Sequence, residues 1–404
     1  MLKKIFKSHK IKALIFYPIY FISKFIKRDK KIWLFAPMNH AFLDNSKYLF
    51  LHVLQNNPEI KAFFITENKK LLDFLKKKNL PVIFKWSIKG FYYGLKARFY
   101  IVSAYIDDIN YWTSGGAIIF NLWHGIPLKK IEFDIKTGPL AKRFRNPKLY
   151  TKIFKPYFYK KPHFVLSTSE ITTTLFSSAF RIPLQNCPIL GYPRTDIFFK
   201  SKAKLLEHIN KFEPSYLNKL IFFTQQFSKV LIYMPTWRDD HYNFLNAAFP
   251  DIQELNQILK KQNALLVLKL HPNDNSLKTF QEKSNIKILQ AKFDIYPFLP
   301  FTDVLITDYF SIYFDYLLLK KPIIMYPFDL DNYLKMRELY FNYEDFVPEP
   351  IVKTFNGFLK TIENLDQLTI GGKYLNLYKK FWKYPDGNSS KRIVNFLLNK
   401  NLEF

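Results

Sequence analysis

Several chemically capable side chains in this sequence stand just past short apolar runs that read as strands. His124 follows Ala117 to Leu122, Arg194 follows Pro188 to Leu190, and Arg238 follows Val230 to Met234. His271 follows Leu265 to Leu270, and Asp308 and Ser311 follow Val304 to Ile306. Imidazole and guanidinium groups in such loops suit a reaction in which a hydroxyl gives up a proton while charge builds on a leaving phosphate. His124 is the candidate to take the proton; His271 and Arg238 are candidates to neutralise the phosphate. Each histidine is followed by Gly125 or Pro272, a spacing that a scattered structural histidine does not explain.

The elements that must position these groups alternate. From Lys31 the chain reads strand, helix, strand, with helices expected near Asn45 to Gln55, Leu71 to Lys78 and Glu170 to Ala179. The stretch Asp303 to Tyr333 is the clearest unit: a β-branched strand, the loop Thr307-Asp308-Tyr309-Phe310-Ser311, an apolar helix and a second strand. Open parallel sheets bind ligands at that edge, and helix amides there favour phosphate. The pattern predicts an α/β chain with two doubly wound, Rossmann-like domains facing a cleft. The expected divisions are a basic aromatic segment 1–30, a first domain 31–205 and a second domain 206–404 that includes the C-terminal helices.

Composition narrows the partners. The 404 residues include 61 Lys and Arg against 33 Asp and Glu, a net charge of +28, with 48% apolar residues. Such a balance points to a polyanion. The 43 Phe and 26 Tyr interleave with the lysines, which suits a membrane interface better than a duplex. A nucleic-acid-binding reading accounts for the charge but not for the strand-end His, Arg and Asp, and no recognition motif supports it. Cys187 is the lone cysteine, which excludes an intrachain disulfide and fits a reducing cytoplasm. No phosphate-binding GxxxxGK[ST] loop is present.

Two stretches read as membrane-facing. Ala13 to Ile22 is too short to span and is interrupted by Pro18, since crossing takes about 20 apolar residues. It is expected either to lie on the membrane surface or to pack as an ordinary amphipathic helix. Residues 134–162 break the alternation with recurring basic and aromatic side chains, the composition of a segment that docks on anionic lipid.

The loops also carry a family resemblance. Trp123-His124-Gly125-Ile126-Pro127-Leu128-Lys129-Lys130, Gly191-Tyr192-Pro193-Arg194-Thr195-Asp196 and Tyr233-Met234-Pro235-Thr236-Trp237-Arg238 resemble signatures of the CDP-glycerol glycerophosphotransferases. So do Lys269-Leu270-His271-Pro272, Ile306-Thr307-Asp308-Tyr309, Asp329-Leu330 with Tyr333, and Asp44-Asn45-Ser46-Lys47-Tyr48. The match runs over about residues 31–350. It implies a GT-B-type fold, no metal or other cofactor, and transfer of glycerol phosphate from CDP-glycerol to a lipid-linked glycan or polymer acceptor at the cytoplasmic membrane face. It further implies teichoic acid-like or capsular polymer synthesis, with His124 as base and His271 with Arg238 on the diphosphate. Gly125, Arg194, Asp196, Thr236, Thr307, Asp308 and Ser311 belong to the implied substrate site, and Asp315 to the ribose hydroxyls. Phe310 stands where the first serine of the TDYSS loop is expected, so CDP-ribitol and nucleotide sugars stay open as donors.

Two acidic clusters compete for other roles. Asp329-Leu330-Asp331 spells a DxD that elsewhere holds a divalent cation, but here it reads rather as a loop or helix cap. Asp239-Asp240-His241 reads as a solvated loop. A non-catalytic membrane scaffold is a further alternative. With about 30 residues before the first strand there is no separate amino-terminal domain to expect.

Overall fold

The computed structural model describes residues 9–38, 41–238, 244–270, 280–289 and 293–399. The chain forms two units: Met1–His124, Ile131–Phe199 and Lys383–Phe404 make the first, and Gly125–Lys130 with Lys200–Trp382 the second. The first sheet has the order β3-β2-β1-β4-β5-β6, built from β1 (Asp29–Ala36), β2 (Lys61–Thr66), β3 (Val82–Phe84), β4 (Ala97–Val102), β5 (Ile118–Asn121) and β6 (Phe164–Val165). The second has the order β11-β10-β7-β8-β9, from β7 (Lys229–Met234), β8 (Ala264–Leu268), β9 (Ile286–Ile288), β10 (Val304–Thr307) and β11 (Ile323–Met325). Every pairing is parallel.

Parallel strands are covered on both faces, so they must be apolar throughout. β8, Ala264-Leu265-Leu266-Val267-Leu268, is buried at every position, and the last five residues of β1 are buried too. In each sheet the strand order reverses once, between β1 and β4 and between β7 and β10. Crevices at the carboxyl ends of the strands open at such reversals.

Two assignments differ from the sequence-based divisions. The second unit begins at Lys200, six residues before the expected boundary, and also takes Gly125–Lys130. The C-terminal helix Ser389–Asn399 belongs to the first unit, because Asp196 of that unit holds its first amides. Residues 134–162 form helices Gly138–Phe144 and Leu149–Phe154 and a tight turn Pro156–Phe158.

The helix His9–Ser23 has two apolar faces. Ala13 and Phe16 are buried, and Phe16 lies among Trp86, Phe91 and Trp112. Tyr20 stacks on Tyr111 with centroids 4.6 Å apart. The other face leaves Leu14 82% and Phe21 61% exposed, followed by Phe25 at 74%. Arg28 fastens the end of the helix by donating to the carbonyls of Ser23, Gly94, Ala97 and Thr113. Among the described residues no helix is long and apolar enough to cross a membrane.

Candidate active site

In the first unit the site forms where β4 and β5 end. The loop after β5 turns sharply, with Trp123 at φ 51° and Gly125 at φ 153°. A left-handed tryptophan is an uncommon conformation that its surroundings must enforce. Asn45 and Arg194 do so by binding three successive carbonyls. Asn45 Nδ2 donates to the carbonyls of Leu122 (3.3 Å) and Trp123 (3.0 Å), and Arg194 Nη1 donates to that of His124 (2.9 Å). Arg194 is itself held by Asp44 at 2.7 Å, with both side chains buried, and its backbone amide donates to Asn45 Oδ1. Asp44 also has positive φ, 68°.

His124 is oriented from the neighbouring strand. Its Nδ1 lies 3.1 Å from the Ser103 carbonyl, and since a carbonyl only accepts, Nδ1 carries the proton. In the neutral ring the basic lone pair then sits on Nε2. The arrangement can accept a proton from an acidic hydroxyl.

Other residues of the first-unit motifs do different work. Asp196 is half-buried, and its two oxygens accept from the amides of Ser389 and Ser390 at 2.9 and 2.8 Å. Burial raises its pKa against those bonds. The sequence placed Asp196 at the substrate; the structure makes it the cap of the C-terminal helix.

In the second unit the loops after β7, β10 and β11 are tied by a buried cation. Arg238 pairs with Asp308 at 2.8 Å and reaches Asp329 through Nε and Nη2, each at 2.8 Å. Its Nη1 donates to the Thr236 carbonyl. Burial alone would lower the Arg238 pKa, but Asp308 and Asp329 outweigh it and the net direction is up. Asp308 Oδ1 accepts from the amides of Thr236 and Tyr309. Tyr309 donates to Asp329 and stacks on Tyr333 at 3.8 Å, while Tyr343 donates to the Asp308 carbonyl.

This knot engages several residues that the sequence assigned to substrate. One guanidinium is shared between two carboxylates, so Arg238, Asp308 and Asp329 together shape the three loops. Thr307 is buried and donates to the Met234 carbonyl, as a strand-end tie. Asp315 is fully buried and accepts from the Tyr296 hydroxyl. Asp329, read as half of a DxD, is occupied by Arg238 and Tyr309. Thr236 is nearly buried, whereas Phe310 and Ser311 are partly exposed, Ser311 standing directly before the helix Ile312–Tyr316. Gly125 clusters with the second unit. Lys269, at the end of β8, has its pKa pulled down to about 8 by burial, against the pull of Asp294. His271 and Asp239-Asp240-His241 lie outside the described residues.

Sequence reasoning quoted Asn45 without a role and missed Ser103 and Tyr343. Ser103 acts through its carbonyl, which side-chain identity does not reveal. The tyrosines were hidden among many aromatic residues, although Tyr333 stood in a motif.

Two doubly wound parallel units with their polar loops at the sheet reversals define the GT-B type of transferase fold. The solved wall teichoic acid polymerase TagF has it too, with a TM-score of 0.75 at 21% identity over 98% of this chain and 96% of that one. Across residues 15–399 the sequence matches the CDP-glycerol:poly(glycerophosphate) glycerophosphotransferases, and the chain belongs to that family. It is 29% identical over 405 residues to the teichoic acid glycerol-phosphate transferase of Staphylococcus aureus, covering 95% of this chain and 97% of that protein. It is 27% identical to the teichoic acid ribitol-phosphate polymerase TarK of the same species, over 97% of this chain and 73% of that protein.

Proposed function

We propose that the chain transfers glycerol phosphate from CDP-glycerol to a hydroxyl of a lipid-linked or polymer acceptor, at the cytoplasmic face of a membrane, in the synthesis of a teichoic acid-like or capsular polymer. His124 Nε2 takes the proton as the acceptor oxygen attacks the β-phosphorus, the one that bears glycerol. A phosphodiester forms and CMP leaves. The Nδ1 contact of His124 to the Ser103 carbonyl carries this reading, because it sets the tautomer a base needs. The protein's work is positioning and charge neutralisation, as in other phosphoryl transfers. His271 is assigned to the leaving phosphate, and Ser311 with its loop to the donor. The exposed apolar face of the first helix and the basic residues of 134–162 are assigned to anionic lipid.

Calorimetry with CDP-glycerol, CDP-ribitol, UDP-N-acetylglucosamine and CMP, with and without EDTA, tests the donor. Selective and EDTA-insensitive binding of CDP-glycerol is expected. Preference for CDP-ribitol would reassign the donor and direct attention to Phe310.

A further inference from the structure

We infer that the first unit holds a site for a lipid phosphate in the basic insert; this deepens the function proposed above and rests on its lipid-linked acceptor. A cavity of about 540 Å³ opens among Tyr111, Phe144, Arg145, Lys152, Tyr159 and Lys160, within the size range of small-molecule sites. Among the described residues no carboxylate lines it. The Nε of Arg145 donates to the Ile135 carbonyl at 3.1 Å, which fixes the plane of its guanidinium at the wall.

The surroundings specify the rest of the ligand. The helix that supplies Lys152 also exposes Leu149 (71%) and Tyr150. The wall residue Tyr111 is the ring on which Tyr20 stacks, and Lys160 Nζ lies 6.0 Å from the centroid of Tyr20. The helix His9–Ser23 therefore abuts the cavity wall through Tyr20, while its outer face exposes Leu14, Phe21 and Ile22. A soluble anion has no use for an apolar rim, and a neutral lipid has none for three cations. An amphiphile with a phosphate head and a long apolar tail uses both.

The cavity also points inward. It shares Phe133, Tyr159 and Lys160 with a narrower cleft that reaches Ala104 and Asn121, just past the end of β4 and at the end of β5. Ser103 and His124 follow those same strands. Glu132, which lines the cleft, has its Oε1 covered by the Tyr105 hydroxyl at 2.7 Å. That cleft is narrow, about 20 Å³, and marks the side of the cavity that faces the sheet edge.

The test uses the full chain and dodecyl phosphate below its micelle concentration, read by calorimetry beside dodecanol and inorganic phosphate. Dodecyl phosphate is expected to bind saturably, and Lys152→Gln with Lys160→Gln to weaken it by about tenfold or more, the size of a lost charge-assisted contact. Arg145→Lys, which keeps the charge but not the fork, is expected to weaken it less. Unchanged affinity in the double variant with an unaltered melting temperature would overturn the site, as would equal binding of dodecanol. Inorganic phosphate binding as tightly as dodecyl phosphate would make it a free-anion site and overturn the lipid assignment. CDP-glycerol binding, measured on the same samples, separates the two ideas: its absence in the unaltered chain defeats the proposed transfer, whereas its persistence alongside failed dodecyl phosphate binding defeats this site alone.

Discussion

Arg194 Nη1 lies 2.7 Å from Oδ1 of Asp44, and both side chains are buried. The pair joins the loop after Gly191 to the start of the helix Asp44–Asn56, and through the His124 carbonyl it sets the backbone of the candidate base. Arg194→Ala is expected to strand the Asp44 carboxylate. Breaking such a buried pair costs about 3–5 kcal/mol, and a base displaced by an ångström costs roughly a hundredfold in rate. Urea unfolding reads the first effect and steady-state kinetics the second. CDP-glycerol affinity should stay within a few-fold.

His124→Ala should leave that scaffold in place and remove the proton acceptor. Loss of transfer by about 10²–10⁴-fold is expected, with CDP-glycerol binding intact by calorimetry. A fully active variant would falsify the assignment of His124 as base.

Arg238→Ala tests whether the second-unit knot is structural. Removing the guanidinium leaves Asp308 and Asp329 facing each other, and destabilisation of about 3–5 kcal/mol is expected without any nucleotide present. A plain phosphate ligand predicts the contrary, an unchanged melting temperature in the free protein and weaker donor binding only.

Glu132 makes stability depend on pH. Burial raises its carboxyl from 4.5 to about 7, against the pull of Tyr105 and Arg143. Between these values the folded chain keeps a proton that the unfolded chain has lost. The contribution is therefore complete below pH 4.5 and gone above about 7, with an upper size of about 3 kcal/mol. His163 runs the other way: burial lowers it from 6.5 to about 4, and its Nδ1 accepts from the Ile119 amide, so its contribution grows as pH rises through that window. The two largely offset. Glu132→Gln should expose a net gain in unfolding free energy from pH 4.5 to 7, read by urea titrations across that range.

Most strands of both sheets were legible because buried parallel strands leave unbroken apolar runs. The helix Ile88–Lys96 was not, since Gly90 and Gly94 argue against one. The structure supplies the reason for both glycines: a Cβ at 90 would meet the Phe84 and Lys85 carbonyl oxygens at 2.6 Å, and one at 94 the Thr113 hydroxyl at 2.5 Å. β9, three residues with Lys287 at its centre, was too short to register. At the site, the sequence showed which residue types end the strands but not which of them face each other. Arg238 and Asp308 were read as ligands because their charges are those a nucleotide calls for, and only the structure shows that the two pair with each other at 2.8 Å. The Asp196 cap joins residues nearly two hundred positions apart, beyond the reach of any local pattern.

The course of the backbone, which gives Lys383–Phe404 to the first unit after the second is complete, bears on recombination among these enzymes. The second unit is an insertion within the first and not a module that follows it. A chimera that exchanges it needs junctions near Lys200 and Trp382, with Gly125–Lys130 exchanged as well. A simple tail swap after the first sheet would carry away the helix that Asp196 caps.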